Sequence, residues 1–178
     1  PSCFINLGGI ANLTYVDCDE LIGFDTGPGN CLIDLVTQKY FNLRYDHLGT
    51  LASRGKVYDD FLNLLLEDKY FSKTYPKSLD NKYFNHYLEN DKNIPLNRLD
   101  LLTTLTEFTA LSIAESLKKL PKLPKSIIYS GGGFQNLYLI ERIKKNIDIS
   151  TFDINKSSFN TDFIEAQLIA FLSARCIY

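Results

Sequence analysis

The chain has no methionine, two histidines, and four cysteines (Cys3, Cys18, Cys31, Cys176) so scattered that no two form a C-x-x-C pair. That spacing excludes a zinc cage and a dense disulfide framework, and predicts reduced thiols in a cytoplasmic protein. Charge of either sign is not in excess, with 19 Lys and Arg against 21 Asp and Glu. No overall field therefore draws in nucleic acid or an anionic membrane. Apolar runs such as those within "FIEAQLIAFLSARCIY" are broken by charges well short of about 20 residues, and no basic leader precedes an apolar segment. The expectation is a soluble, unexported domain. The missing methionine, the start at Pro1 and the immediate strand-like run further predict one part of a longer polypeptide divided at a domain boundary. What is present is core material: 45% of 178 residues are apolar and 13% aromatic, sufficient for one compact domain.

"SCFINL" and "ANLTYVD" are β-rich runs joined by "GGI", a pattern that predicts a hairpin whose glycines supply positive φ. "ELIGFD" reads as a third strand ending on Asp25. From Asn30, a candidate N-cap, the period becomes helical, with Leu32, Ile33, Leu35, Val36 and Tyr40 on one face. Residues 43–95 are less regular and read as an insertion. "VYDDFLNLLLED" and "NKYFNHYLEN" predict short helices there, with the loop "KYFSKTYPKSLD" between them. A long amphipathic helix is expected at about Leu99 to Leu120, then the strand "KSIIYS", the loop "GGGFQN", the helix "LYLIERIKKN", a strand in "DISTFDI" and a last helix, "DFIEAQLIAFLSARCI", capped by Asp162 and Glu165. Three antiparallel strands followed by alternating helix and strand give an α/β fold, a mixed sheet flanked by helices.

Glycine is scarce, ten residues in all, and most of it sits in three loops. In "NLGGIANLT", Gly8 and Gly9 are either a plain turn or a place where backbone amides meet phosphate oxygens, with Asn12 and Thr14 just beyond. In "SGGGFQN", Gly131, Gly132 and Gly133 follow a strand and precede a helix, where an open α/β sheet binds ligands and helix N-termini favour anions. The loop is neither G-x-G-x-x-G nor a Walker loop, so tight packing explains it equally well. In "GFDTGPGN", Asp25 at the strand end would project into the same crevice as a general base or metal ligand, or would only cap the next turn. The lysines and serine of "KTYPKS" suit a carboxylate or phosphate, or a solvated loop. His86 reads as surface or packing.

Together "NLGGIANLT", "GFDTGPGN" followed by "LID", "YDHLGTLASRG", "YFSKTYPKS", "TLTEFTALSIA", "SGGGFQN" and the late "EA" at Glu165 resemble, in order and over nearly the whole chain, the carboxyl-terminal lobe of the anhydro-N-acetylmuramic acid kinase family. The resemblance implies a ribonuclease-H-like βββαβαβα lobe, one of two in an actin-, hexokinase- and heat-shock-ATPase-like fold with nucleotide between the lobes. It implies that ATP, with Mg²⁺, phosphorylates O6 of 1,6-anhydro-N-acetylmuramic acid while water opens the anhydro bridge, in recycling of cell-wall sugar. Asp25 matches the catalytic position. Gly8, Gly9, Asn12, Gly131, Gly132, Gly133 and Asn136 would face the nucleotide, and Asn30 and Lys77 the sugar; no residue is assigned to metal. The amino-terminal lobe is the implied partner, and a homodimer is compatible. "PKSLDNKYF" departs from the family pattern, which has Thr-Gly after the serine. The competing expectations are an inactive remnant lobe that binds sugar or a partner, and an actin-like nucleotide-dependent assembly module. By itself, the single lobe is expected to be inactive.

Overall fold

The computed structural model describes residues 1–18, 20–90, 94–147 and 151–153. Its centre is a five-stranded sheet in the order β3-β2-β1-β4-β5. Strands β1 (Ser2–Leu7), β2 (Ile10–Asp17) and β3 (Glu20–Pro28) form an antiparallel meander. The chain returns after the helical insertion to add β4 (Ser126–Ser130) parallel to β1, and β5 (Thr151–Asp153) parallel to β4. The expected final helix, with Asp162, Glu165 and Cys176, lies outside the described residues.

One face of the sheet is apolar by simple alternation. Cys3, Ile5 and Leu7, Ala11, Leu13 and Tyr15, and Ile127 and Tyr129 are all buried. They pack against Ala110, Ile113 and Leu117 of α5 (Arg98–Lys118) and Leu139, Ile140 and Ile143 of α6 (Leu137–Asn146). A second cluster joins α1 (Cys31–Phe41) and α2 (Asp59–Leu66) to the other side of α5 through Leu32, Ile33, Val36, Phe61, Leu65, Leu101, Leu105 and Phe108. Because α5 lies between two cores, it is buried nearly all round rather than amphipathic. Its hydroxyl residues make this tolerable by turning inward onto carbonyls. Thr103, Thr104 and Thr106 donate to the carbonyl four residues back, and Thr109 donates to Gly29 O at 3.0 Å. Buried Glu107 is paired with Arg142 of α6 at 2.5 Å and accepts from Asn146 at 3.0 Å, so its charge is compensated.

Several local expectations need correction. The loop "KYFSKTYPKSLD" contains one helical turn, α3 (Lys69–Ser72), begun by Asp68, whose carboxylate accepts from Tyr70 N. The second insertion helix is shorter than expected, α4 (His86–Asn90). "GGGFQN" includes a 3₁₀ turn, Gly132–Gln135. Asn30 precedes α1 but does not cap it: its amide Nδ2 donates to Leu7 O at 3.3 Å. Neither Gly8 nor Gly9 has positive φ; glycine φ is positive only at Gly49 and Gly131 among the described residues. Cys3, Cys18 and Cys31 are free thiols.

Candidate active site

Asp25 does not end its strand. β3 continues through Thr26, Gly27 and Pro28, and a β-bulge sits one residue beyond Asp25, where Ala11 faces Gly27 but Asn12 faces Asp25. Bulges re-aim neighbouring side chains. Here Thr26, the extra residue, turns inward and donates to Ala11 O at 3.1 Å. Asp25 is half-buried and tied to the insertion three times. Its amide donates to Lys77 O (3.0 Å), its carbonyl accepts from Tyr70 Oη (2.6 Å), and its Oδ2 accepts from Leu79 N (2.7 Å). Burial first, then the Asp25 charge, hold the Tyr70 phenol well above its ordinary pKa, so it remains a donor.

The strand register places Asp25 beside Asn12, Asn12 beside Asn6, and Asn6 beside Ser130. In-register neighbours share a face, so these four half-buried residues form a polar row across four strands, roughly 14 Å long at ordinary strand spacing. The row ends where the glycine loop begins, at Gly131.

In that loop Gly131 has φ 84°, and an added Cβ would strike Asn6 and the Leu7 backbone; one on Gly133 would lie 2.6 Å from Asn30 Nδ2. A Cβ on Gly132, by contrast, would meet nothing within 4 Å. Gly132 and Gly133 help line a cleft of about 530 Å³ with Asn30, Asp34, Arg44, His47 and Asn136. Asn136 also caps α6, its Oδ1 accepting from Leu139 N at 3.0 Å. Within the cleft, burial pushes the Asp34 carboxyl up to about 6, with Arg44 partly opposing the shift.

The Gly8-Gly9 turn has a different geometry. Gly9 O accepts from the amides of Gly29 and Cys31, and Gly8 O from that of Asn30, at 2.9–3.1 Å. The amides that lead into α1, as far as its first residue Cys31, are thus satisfied within the chain. Lys77 projects over the Tyr70 ring, 4.3 Å from its centroid, with Phe24 and Phe71 nearby. Desolvation, then Lys119 and Lys73, lower its pKa to about 8.

The predicted residues therefore fall into two groups joined by the polar row: Asp25 with Lys77 at the β3 edge, and Asn30, Gly132, Gly133 and Asn136 at the cleft. Gly8 and Gly9 form the turn between β1 and β2, and Asn12 lies in the row. Sequence reasoning gave no role to Asp34, Tyr70 or Leu79. Asp34 was findable, since it stands four residues after Asn30 and so shares its helical face. Tyr70 and Leu79 act on Asp25 from 45 and 54 residues away, and no local pattern announces that.

A three-stranded meander extended by two parallel strands in 3-2-1-4-5 order, flanked by helices, is the ribonuclease-H-like fold of the actin, hexokinase and heat-shock ATPases. Its solved relatives include the activator of 2-hydroxyisocaproyl-CoA dehydratase from Clostridium difficile with bound ADPNP, which aligns with TM-score 0.53 and 14% identity over 85% of this chain and 53% of that one. The chain belongs to the anhydro-N-acetylmuramic acid kinase family, whose model matches residues 2–178. Family members from Zymomonas mobilis and from a Ruegeria species are 37% and 36% identical over 180 and 183 residues, covering 100% and 98% of this chain. The chain spans about half the length of these curated relatives, 48% in each case. No helix among the described residues is long and apolar enough to cross a membrane.

Proposed function

We propose that the complete protein is an ATP-dependent kinase of 1,6-anhydro-N-acetylmuramic acid, and that this chain supplies its carboxyl-terminal lobe and the general base, Asp25. The observation that carries this reading is the Asp25 carboxylate: one oxygen is held by Leu79 N, while the other, Oδ1, has no hydrogen-bond partner among the described residues. A positioned carboxylate with one free oxygen is suited to take a proton from water. Water attacks the anomeric carbon and gives its proton to Asp25, and the bond from that carbon to O6 breaks. O6 then takes the γ-phosphoryl group of ATP and ADP leaves; the proton on Asp25 passes to solvent.

The cleft beside Gly132 takes the nucleoside, and the polar row leads from there toward Asp25, with Asn12 and the Gly8-Gly9 turn along the phosphates. In support, Gly8 and Gly9 donate no hydrogen bond among the described residues, although their carbonyls are engaged. Lys77 and Asn30 are the residues assigned to the sugar. Among the described residues no three His, Cys, Asp or Glu side chains gather as a metal cage. That fits Mg²⁺, which is held mainly by nucleotide phosphates and water with one or two carboxylates, and which neutralises phosphate charge when bound. Phosphoryl transfer depends on groups from both walls of a cleft, so residues 1–178 alone should give no detectable turnover.

Isotope labelling tests the reaction. With the full-length protein in ¹⁸O-labelled water, the label should appear at the anomeric carbon of the product and not in its phosphate. Label in free inorganic phosphate with an unlabelled anomeric carbon would mean that water attacks ATP and that Asp25 has another role.

A further inference from the structure

The three ties on Asp25 depart from an ordinary ladder in one respect. The segment through Lys77–Leu79 lies along the open edge of β3, and Asp25 N donates to Lys77 O. In a parallel pairing the complementary bond would run from Leu79 N to the Asp25 carbonyl. That carbonyl is instead occupied by the Tyr70 hydroxyl at 2.6 Å, and the Leu79 amide bonds Asp25 Oδ2 at 2.7 Å. Tyr70 is completely buried and is itself fixed: its amide donates to Asp68 Oδ1, and Asp68 also accepts from the hydroxyls of Tyr83 (3.1 Å) and Tyr87 (2.9 Å).

Resting on the reading of Asp25 as the base toward water, we propose that Tyr70 is a positioning residue that diverts the Leu79 amide from the Asp25 main chain onto Oδ2, making Oδ1 the proton-accepting atom. The insertion thereby sets the orientation of an acid that belongs to the sheet. Tyr70 occupies the main-chain acceptor, the Leu79 N–H is left without it, and the carboxylate is what remains within reach. A carboxylate with one oxygen fixed by an amide presents the other in a single direction, which proton transfer requires. The titratable groups gathered around Asp25 and Tyr70 are Asp68, Tyr83, and Lys73 and Lys77 over the Tyr70 ring, with Lys119 acting on Lys77. None of them is removed in the tests below.

Tyr70→Phe in the full-length kinase deletes one hydroxyl from a buried ring and should leave the fold intact. The freed Asp25 carbonyl then recaptures the Leu79 amide and the carboxylate loses its donor. The expected result is a fall in kcat of about 10- to 100-fold with little change in KM for ATP, the size typical of a misplaced catalytic group. Leu79→Pro removes the N–H itself and should give the same fall in kcat with little change in KM for ATP. If Leu79→Pro does not fold, replacing Leu79 by its α-hydroxy acid, an amide-to-ester change, removes the N–H and keeps the side chain. Combining either change with Tyr70→Phe should add nothing further. A Tyr70→Phe enzyme with normal kcat overturns the proposal, as does a normal kcat once the Leu79 N–H has been removed. Asp25→Asn keeps the two ideas apart: if it lowers turnover while Tyr70→Phe does not, the base reading stands and the positioning role falls.

Discussion

Two strand-to-helix connections of this chain look alike in sequence and work differently. At the end of β3 and just beyond it, before α1, an added Cβ on Gly27 would lie 2.6 Å from Ser112 Oγ on α5, and one on Gly29 would strike the Gly8 carbonyl. Both glycines permit the chain to approach itself, and the amides of Gly29, Asn30 and Cys31 are taken up by the carbonyls of the Gly8-Gly9 turn. Between β4 and α6, Gly131 and Gly133 serve the same purpose against Asn6, Leu7 and Asn30, but Gly132 faces open space at the cleft. The lesson is that glycine content marks close approach without saying by what. The first connection joins the meander to α1 and fixes the strand carrying Asp25; the second leaves a stretch of backbone open to a ligand.

Substitutions in the two connections should therefore differ in kind. Gly29→Val places a branched side chain against backbone that cannot yield, and should cost about 3 kcal/mol of stability by urea unfolding. A cost within about 0.5 kcal/mol would mean that this contact is loose. Gly132→Val should leave stability nearly unchanged but raise KM for ATP about tenfold, equivalent to about 1.4 kcal/mol of binding. An unaltered KM in a folded variant would remove this loop from the nucleotide site, and a large loss of stability would erase the distinction between the two connections.

The smallest effect concerns Asp34 on the cleft wall. Its folded pKa, about 6, is raised by burial above the ordinary value of 3.8. Ionising it therefore costs folding free energy: its contribution is most favourable below pH 3.8 and is lost as pH rises through about 6. Asp34→Asn should stabilise the protein at pH 7.5 by about 1 kcal/mol, a value discounted for partial exposure, and the gain should shrink toward zero near pH 4. A gain independent of pH would show that burial does not control this carboxyl.

The same contrast explains what could be read from the sequence. The order of strands and helices along the chain, the long helix and the glycine loops are local patterns of periodicity and turn chemistry, and among the described residues each falls where these patterns place it to within a few residues. What periodicity could not show was that β3 passes beyond Asp25 through a bulge, because that depends on pairing with Ala11 and Asn12. Nor could it show that α5 is buried on nearly every side, since its threonines count as polar until their inward hydrogen bonds are seen. Tyr70 and Leu79 were hidden for a third reason: one acts through a hydroxyl on a main-chain carbonyl and the other through its amide, and neither requirement leaves a motif.

The most direct test of the central claim is turnover of 1,6-anhydro-N-acetylmuramic acid by Asp25→Asn in the full-length protein. Asn keeps a carbonyl oxygen for the Leu79 amide and puts an amino group where Oδ1 stood, so shape and anchoring persist while the proton acceptor is lost. The account predicts a fall in kcat of about 10²- to 10⁴-fold, with nucleotide affinity and stability close to those of the unmodified protein. Near-normal turnover would contradict it and leave Asp25 as a structural residue of β3.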